Sequence, residues 1–153
     1  MSDDSLQATL RSDLTAAMRA REEVRVATLR MVLTAISTEQ VSGAESRELT
    51  DAETLKIVMK EAKKRRESVT AYRDAGREEL ARREEAELAV LDAYLPEQLG
   101  DEELEGIVDH AVAQVGATSM AQMGQVMQVA QAEVAGRADG GAVAAKVKAR
   151  LAG

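Results

Sequence analysis

"AYLPEQLG", Ala93 to Gly100, contains the single proline of this 153-residue chain. The ring of Pro96 disfavours helical geometry at the residue before it, so a helix arriving from upstream has to stop at or near Leu95. The text also changes character here. Residues 1–95 carry sixteen Lys/Arg against nineteen Asp/Glu, whereas residues 96–153 carry four against eight and are rich in Ala, Val and Gly. Two subdomains are therefore expected, 1–95 and 96–153.

Upstream of Pro96, apolar residues recur every three or four positions. Ser5 is placed to cap a helix with the stripe Leu6, Leu10, Leu14, Ala17 and Met18, and a second stripe follows at Val26, Leu29, Leu33 and Ile36. No strong breaker lies between Ser5 and Ser42, which leaves open one kinked helix or two. "TDAE", Thr50 to Glu53, has both partners of a capping box and opens a long helix through Leu55, Met59, Ala62, Val69 and Tyr72 towards Gly76. A last helix is expected from about Arg77 to Leu95, burying Leu80, Leu88, Leu91 and Leu95.

Downstream, three shorter helices are expected. Leu104, Val108, Ala111 and Val115 form one face, closed by Gly116 where a left-handed helix end favours glycine. Ser119 is then placed to cap a helix with the stripe Met120, Met123, Met127, Ala130 and Val134, and Val143, Val147 and Leu151 mark the final one. No segment alternates with period two. The expected fold is all-α, a bundle of about four helices followed by a three-helix subdomain.

Composition excludes several chemistries. The chain has no Cys and a single histidine, His110, beside Asp109, so thiol catalysis, disulfides, a bound metal and a cofactor are not expected. With no Phe, no Trp and two tyrosines it has no aromatic platform for stacking bases. The first ten residues are acidic where a secretory leader is basic, and no apolar run approaches the ~20 residues of a membrane span, so a cytoplasmic protein without membrane contact is expected. The net charge of −7 argues against indiscriminate nucleic-acid coating but leaves room for local patches.

The densest basic stretch is "KEAKKRRES", Lys60 to Ser68; with Lys56 it gives six basic residues against one acid between positions 56 and 66. Lys56, Lys60, Lys63 and Lys64 fall within one helical quadrant or its shoulder, a geometry that either tracks phosphates or is simply a solvated face. Arg65 and Arg66 lie on the apolar line of their helix, as Glu84 and Glu87 do on the next. An inter-helix salt bridge from Arg65 to Glu84 or Glu87 is expected, because an unpaired buried charge is strongly unfavourable. Gly124, inside the Met-rich helix, suggests close approach of a neighbouring helix. In "VAGRADGGAV", Val134 to Val143, Gly136 is expected to end one helix in left-handed geometry and Asp139 to cap the next, leaving Arg137 without a capping role. That stretch is a helix–helix corner, since a phosphate loop needs a preceding strand and a following Lys-Ser/Thr pair.

Four segments in order, "TLRMVLTAI" (28–36), "KKRRESVTAYRDAGREELARREEAELAVLDAYLPEQL" (63–99), "SMAQMGQVM" (119–127) and "GRADGGAV" (136–143), closely resemble the GatB/YqeY family. The likeness covers nearly the whole chain. YqeY-like proteins are small freestanding homologues of the C-terminal tail of the B subunit of the glutamine-dependent aspartyl/glutamyl-tRNA amidotransferase. The resemblance implies a helical bundle joined to a three-helix subdomain, and a relation to carbon–nitrogen ligase activity with glutamine as amido-N-donor. That chemistry belongs to other domains and to the A subunit, and this chain has no Gly-rich nucleotide loop and no acidic metal cluster with which to perform it.

In the amidotransferase the tail helps hold tRNA. The resemblance therefore implies a non-catalytic module that binds tRNA or a tRNA-charging partner, such as an amidotransferase or aminoacyl-tRNA synthetase component. The candidate contacts are Lys56, Lys60, Lys63, Lys64 and Arg77 in the first subdomain and Arg137, Lys146 and Arg150 in the second. Where the family often has lysines around its C-terminal motifs, this sequence has Gln125, Glu133, Ala135 and Gly141. The alternative is a protein–protein adaptor that makes no RNA contact.

Overall fold

The computed structural model describes residues 4–152. Among these residues the chain is all-α: seven α-helices and one short 3-10 turn, with no strand. It divides into two compact units between Leu95 and Pro96.

In the first unit, α1 (Leu6–Ala20) begins where the Ser5 hydroxyl accepts the Ala8 amide at 3.1 Å. It stops at Arg21, which adopts a left-handed φ of 58°, while the Glu22 amide donates back to the Ala17 carbonyl at 3.0 Å. This is the hydrogen-bond pattern of a glycine-type helix end made by an arginine. Residues 5–42 thus form two helices, and α2 (Glu23–Gln40) follows at once. α3 (Asp51–Asp74) opens on the complete Thr50/Glu53 capping box, and the Asp51 carboxylate accepts the Leu6 amide at 3.0 Å, tying the starts of α1 and α3 together. Gly76, with φ 73°, turns the chain into α4 (Glu78–Asp92), which packs along α3. Leu10, Leu29, Val32, Ile36, Val58, Ala62 and Leu91 form the core. Each large aliphatic among them contributes roughly 1.5–3 kcal/mol by leaving water.

The second unit comprises α5 (Asp101–Val115), the turn Met120–Gln122, α6 (Met123–Val134) and α7 (Gly140–Ala152). Its core is Leu104, Val108, Ala111, Val112, Val126, Ala130, Val134, Ala138, Val143 and Val147, side chains small enough for close helix approach. Gly116 ends α5 at φ 71°, and the Leu99 amide donates to the Arg137 carbonyl at 2.8 Å, fastening the entry segment to the α6–α7 corner.

Several local expectations need correction. The buried stripe of α3 is Thr54, Val58, Glu61, Ala62 and Arg65, whereas Leu55, Met59, Val69 and Tyr72 only flank it. The inward face is polar enough to mislead a count of apolar residues, because Thr54 satisfies its hydroxyl on the Thr50 carbonyl at 3.0 Å. α4 ends at Asp92, and its fully buried residues are Ala81 and Leu91 with Glu87, while Leu80, Leu88 and Leu95 are half-buried. Ser119 makes no side-chain cap; instead Gln122 Oε1 accepts the Thr118 amide at 2.7 Å. The Met stripe lies at the margin of the core: Met120 is 40% exposed, Met123 and Met127 are half-buried, and Val126 takes the central place. Gly124 faces open space, with nothing within 4 Å of where a Cβ would stand, so no neighbouring helix requires it.

Candidate nucleic-acid interface

At 3.6 residues per turn, Lys56, Lys60 and Lys63 fall in one strip of α3, opposite the buried Val58, Ala62 and Arg65. Lys56 and Lys60 are exposed and have no ion-pair partner among the described residues. Lys64, at the shoulder, is held by the Glu61 carboxylate at 3.0 Å. Further along, Glu67 and Asp74 occupy the same strip, so it is basic only in its N-terminal half. Arg77 stands beyond the far end of the helix, about 27 Å of helix rise or more from Lys56. The structure therefore does not gather Arg77 with the lysines.

Beneath the strip, Arg65 is 3% exposed. Its Nη1 donates to the Glu61 carbonyl at 3.0 Å and to Glu61 Oε1 at 3.2 Å, its Nη2 meets Met31 Sδ at 3.4 Å, and its Nε lies 3.6 Å from Glu87 Oε2. The inter-helix partner is Glu87. Glu84 stays at the edge of the cluster, its carboxyl pushed up by burial first and by the Glu87 charge second. Arg66 points outward to Asp92 at 3.9 Å.

In the second unit the candidate cations are engaged within the fold. Lys146 lies 3.4 Å from Asp101 and 3.2 Å from Glu105, and Arg150 lies 2.9 Å from Asp109. α7 thus lays its basic face on the acidic face of α5. Arg137, expected to lack a capping role, is a cap: its Nε donates to the Val134 carbonyl at 3.0 Å and its Nη2 to the Glu133 carbonyl at 2.8 Å. Both carbonyls lie at the C-terminus of α6, where the Val134 one also accepts the Arg137 amide at 3.0 Å and where a cation complements the helix dipole. The helix leaves through two left-handed residues, Ala135 at φ 49° and then Gly136 at φ 82°, so the end expected at Gly136 begins one residue earlier. Asp139 directly precedes α7 and its carbonyl accepts the Val143 amide at 3.1 Å. His110 is exposed, 3.2 Å from Glu133.

One cationic feature escaped the sequence reading. Arg19, Arg21 and Arg30 are exposed around the α1–α2 corner, without an ion-pair partner among the described residues. "RAREEVR", Arg19 to Arg25, holds three arginines, but the adjacent Glu22 and Glu23 hide them from a local charge count. Among the described residues no group of three or more His, Asp or Glu is placed to hold a metal ion, and no helix is long and apolar enough to cross a membrane.

The fold and its surface define a class: a two-unit helical module whose distinctive side chains are exposed cations, buried ion pairs and helix caps. The chain belongs to the YqeY-like protein family, whose model matches residues 7–151. It is also similar to a fission-yeast protein, the uncharacterized protein C22F3.15 of Schizosaccharomyces pombe, at 32% identity over 93 residues, 61% of this chain and 74% of the yeast one.

Proposed function

We propose that this chain is a non-catalytic module that binds folded RNA of the tRNA type through the N-terminal half of α3, with Lys56, Lys60 and Lys63 contacting phosphates. The observation that carries the reading is the outward strip of lysines, two of them, Lys56 and Lys60, without an ion-pair partner among the described residues, in a chain of net charge −7. The choice of tRNA rests on the likeness to the tail of the tRNA amidotransferase B subunit. Without stacking aromatics, recognition runs through shape and phosphate contact. The amide-transfer reaction of that enzyme is not assigned to any residue here.

Engagement of Lys146 and Arg150 by α5 and of Arg137 by α6 argues for leaving the second unit out of the contact surface. The test is a titration of labelled tRNA with the purified chain at low ionic strength. The expected result is a binding isotherm that weakens steeply with added salt; no detectable binding would end the proposal.

A further inference from the structure

A groove of about 590 Å³ runs between α1 and α2, lined by Leu14, Arg30, Leu33, Thr34, Ser37, Thr38 and Val41. Its walls are aliphatic and hydroxylic, and Val41 at its end is 64% exposed. Met18, 49% exposed, extends the apolar surface at the other end, where its Sδ lies 3.9 Å from Arg30 Nη2. Leu14 and Leu33 are half-buried and pack against the core of Leu10, Leu29 and Ile36 from its margin, whereas Met18 and Val41 stand exposed outside it, so the core does not account for the exposure of these two.

The charge of the groove is as selective as its apolarity. The chain has 27 acidic side chains, yet among the described residues none lines the groove, and the one charged residue there is Arg30. Arg19 and Arg21 add unpaired positive charge at the corner beyond Met18. From Arg30 to Val41 the α2 wall rises ~16 Å, which accommodates about three turns of a second helix. An aliphatic floor with an arginine at one end matches an amphipathic helix bearing apolar residues at i, i+4 and i+7 and a carboxylate beside them. It does not match RNA, whose phosphates gain nothing from Leu14, Leu33 and Val41.

We infer that the α1–α2 groove docks an acidic amphipathic helix of a partner protein, with Arg30 pairing its carboxylate and Leu14, Leu33 and Val41 receiving its apolar stripe. This surface is separate from the lysine strip of α3 and acts independently of it.

The test uses the full chain and two synthetic helix-stapled peptides of about 14 residues, each with leucines at i, i+4 and i+7. One carries glutamates beside the leucines and the other carries lysines. Fluorescence anisotropy is expected to show the acidic peptide binding about tenfold or more tightly than the basic one. Arg30→Glu reverses that preference, Val41→Glu weakens both peptides, and Lys56→Glu/Lys60→Glu changes neither. Both groove substitutions fall on exposed positions, and unchanged thermal unfolding verifies their fold. Absence of binding, equal binding of the two peptides, or indifference to Arg30→Glu and Val41→Glu overturns the inference. So does a dimer in sedimentation that Val41→Glu dissolves, which assigns the groove to a second copy, or loss of tRNA binding in Val41→Glu, which assigns it to RNA.

Discussion

Arg65 Nε and Glu87 Oε2 face each other 3.6 Å apart across the α3–α4 contact, with both side chains buried. Glu61, one turn back on α3, holds the other side of the guanidinium at 3.2 Å. Removing one partner of a buried pair typically costs 3–5 kcal/mol, because the remaining charge is left dry and uncompensated. Since Glu61 persists, Glu87→Gln is expected to cost about 3 kcal/mol, at the lower end. Chemical denaturation measures it, and a loss under about 0.5 kcal/mol would mean that the pair does not hold the helices together.

Glu84 and Glu53 are expected to respond to pH in opposite senses. Burial and the neighbouring Glu87 charge raise the pKa of Glu84, so the folded state favours its protonated form. Its ionised form therefore opposes folding as pH rises above the ordinary carboxylate value of about 4.3. Arg47 first, and then the Thr50 amide, lower the pKa of Glu53 to about 2, so its contribution is complete above the ordinary value and lost as pH falls towards 2. At neutral pH, Glu84→Gln should raise the denaturation midpoint and Glu53→Gln should lower it. Both differences should shrink on acidification, and midpoints recorded between neutral and acidic pH check the two signs.

Tyr94 donates to Asp13 Oδ2 at 2.5 Å, and Arg25 lies 3.9 Å from the same oxygen. Burial first, then the Asp13 carboxylate, pushes the phenol up to about 12. Folding thus favours the protonated phenol, and the associated stability is lost as pH rises from about 10 towards that value. In a Tyr72→Phe variant, which leaves Tyr94 as the only tyrosine, ultraviolet titration should place phenol ionisation near the raised value. Tyr94→Phe should cost about 1 kcal/mol, the net worth of one hydrogen bond.

Arg137 closes α6 through two carbonyls, so Arg137→Ala is expected to destabilise the second unit by about 1.5 kcal/mol. The same variant should retain tRNA affinity wherever it remains folded. Thermal unfolding and tRNA titration of one preparation separate structural loss from binding loss.

Those carbonyl bonds are not legible in the sequence, which leaves Arg137 without a capping role, but other helix ends are. Ser5, the Thr50/Glu53 box and Gly116 act within one turn, and each sits in the structure at the helix end its residue type prescribes. The all-α class follows from the same local signals. Arg21 ends α1 with no glycine to announce it, because Schellman-type bonds form around any residue that tolerates the left-handed region. The face of α3 differs from the expected stripe because Thr54 and Glu61 are polar yet buried, each with a partner, while the burial of Arg65 is as expected. The pairing of Lys146 and Arg150 with α5 depends on how α7 lies against it, which the sequence of α7 alone does not state. The groove beside Arg30 escaped notice for the same reason: its walls come from two helices.

The central claim is that RNA contact resides on α3 and not on α7. The most direct measurement is the salt dependence of tRNA binding for three proteins: the unmodified chain, Lys56→Gln/Lys60→Gln, and Lys146→Gln/Arg150→Gln. The slope of log affinity against log salt should become shallower by about 0.7–0.9 for each phosphate contact removed, so the α3 variant should lose about 1.5 and bind weakly at every salt concentration. The α7 variant should keep the slope of the unmodified chain. A slope that falls for the α7 variant and holds for the α3 variant would contradict the account.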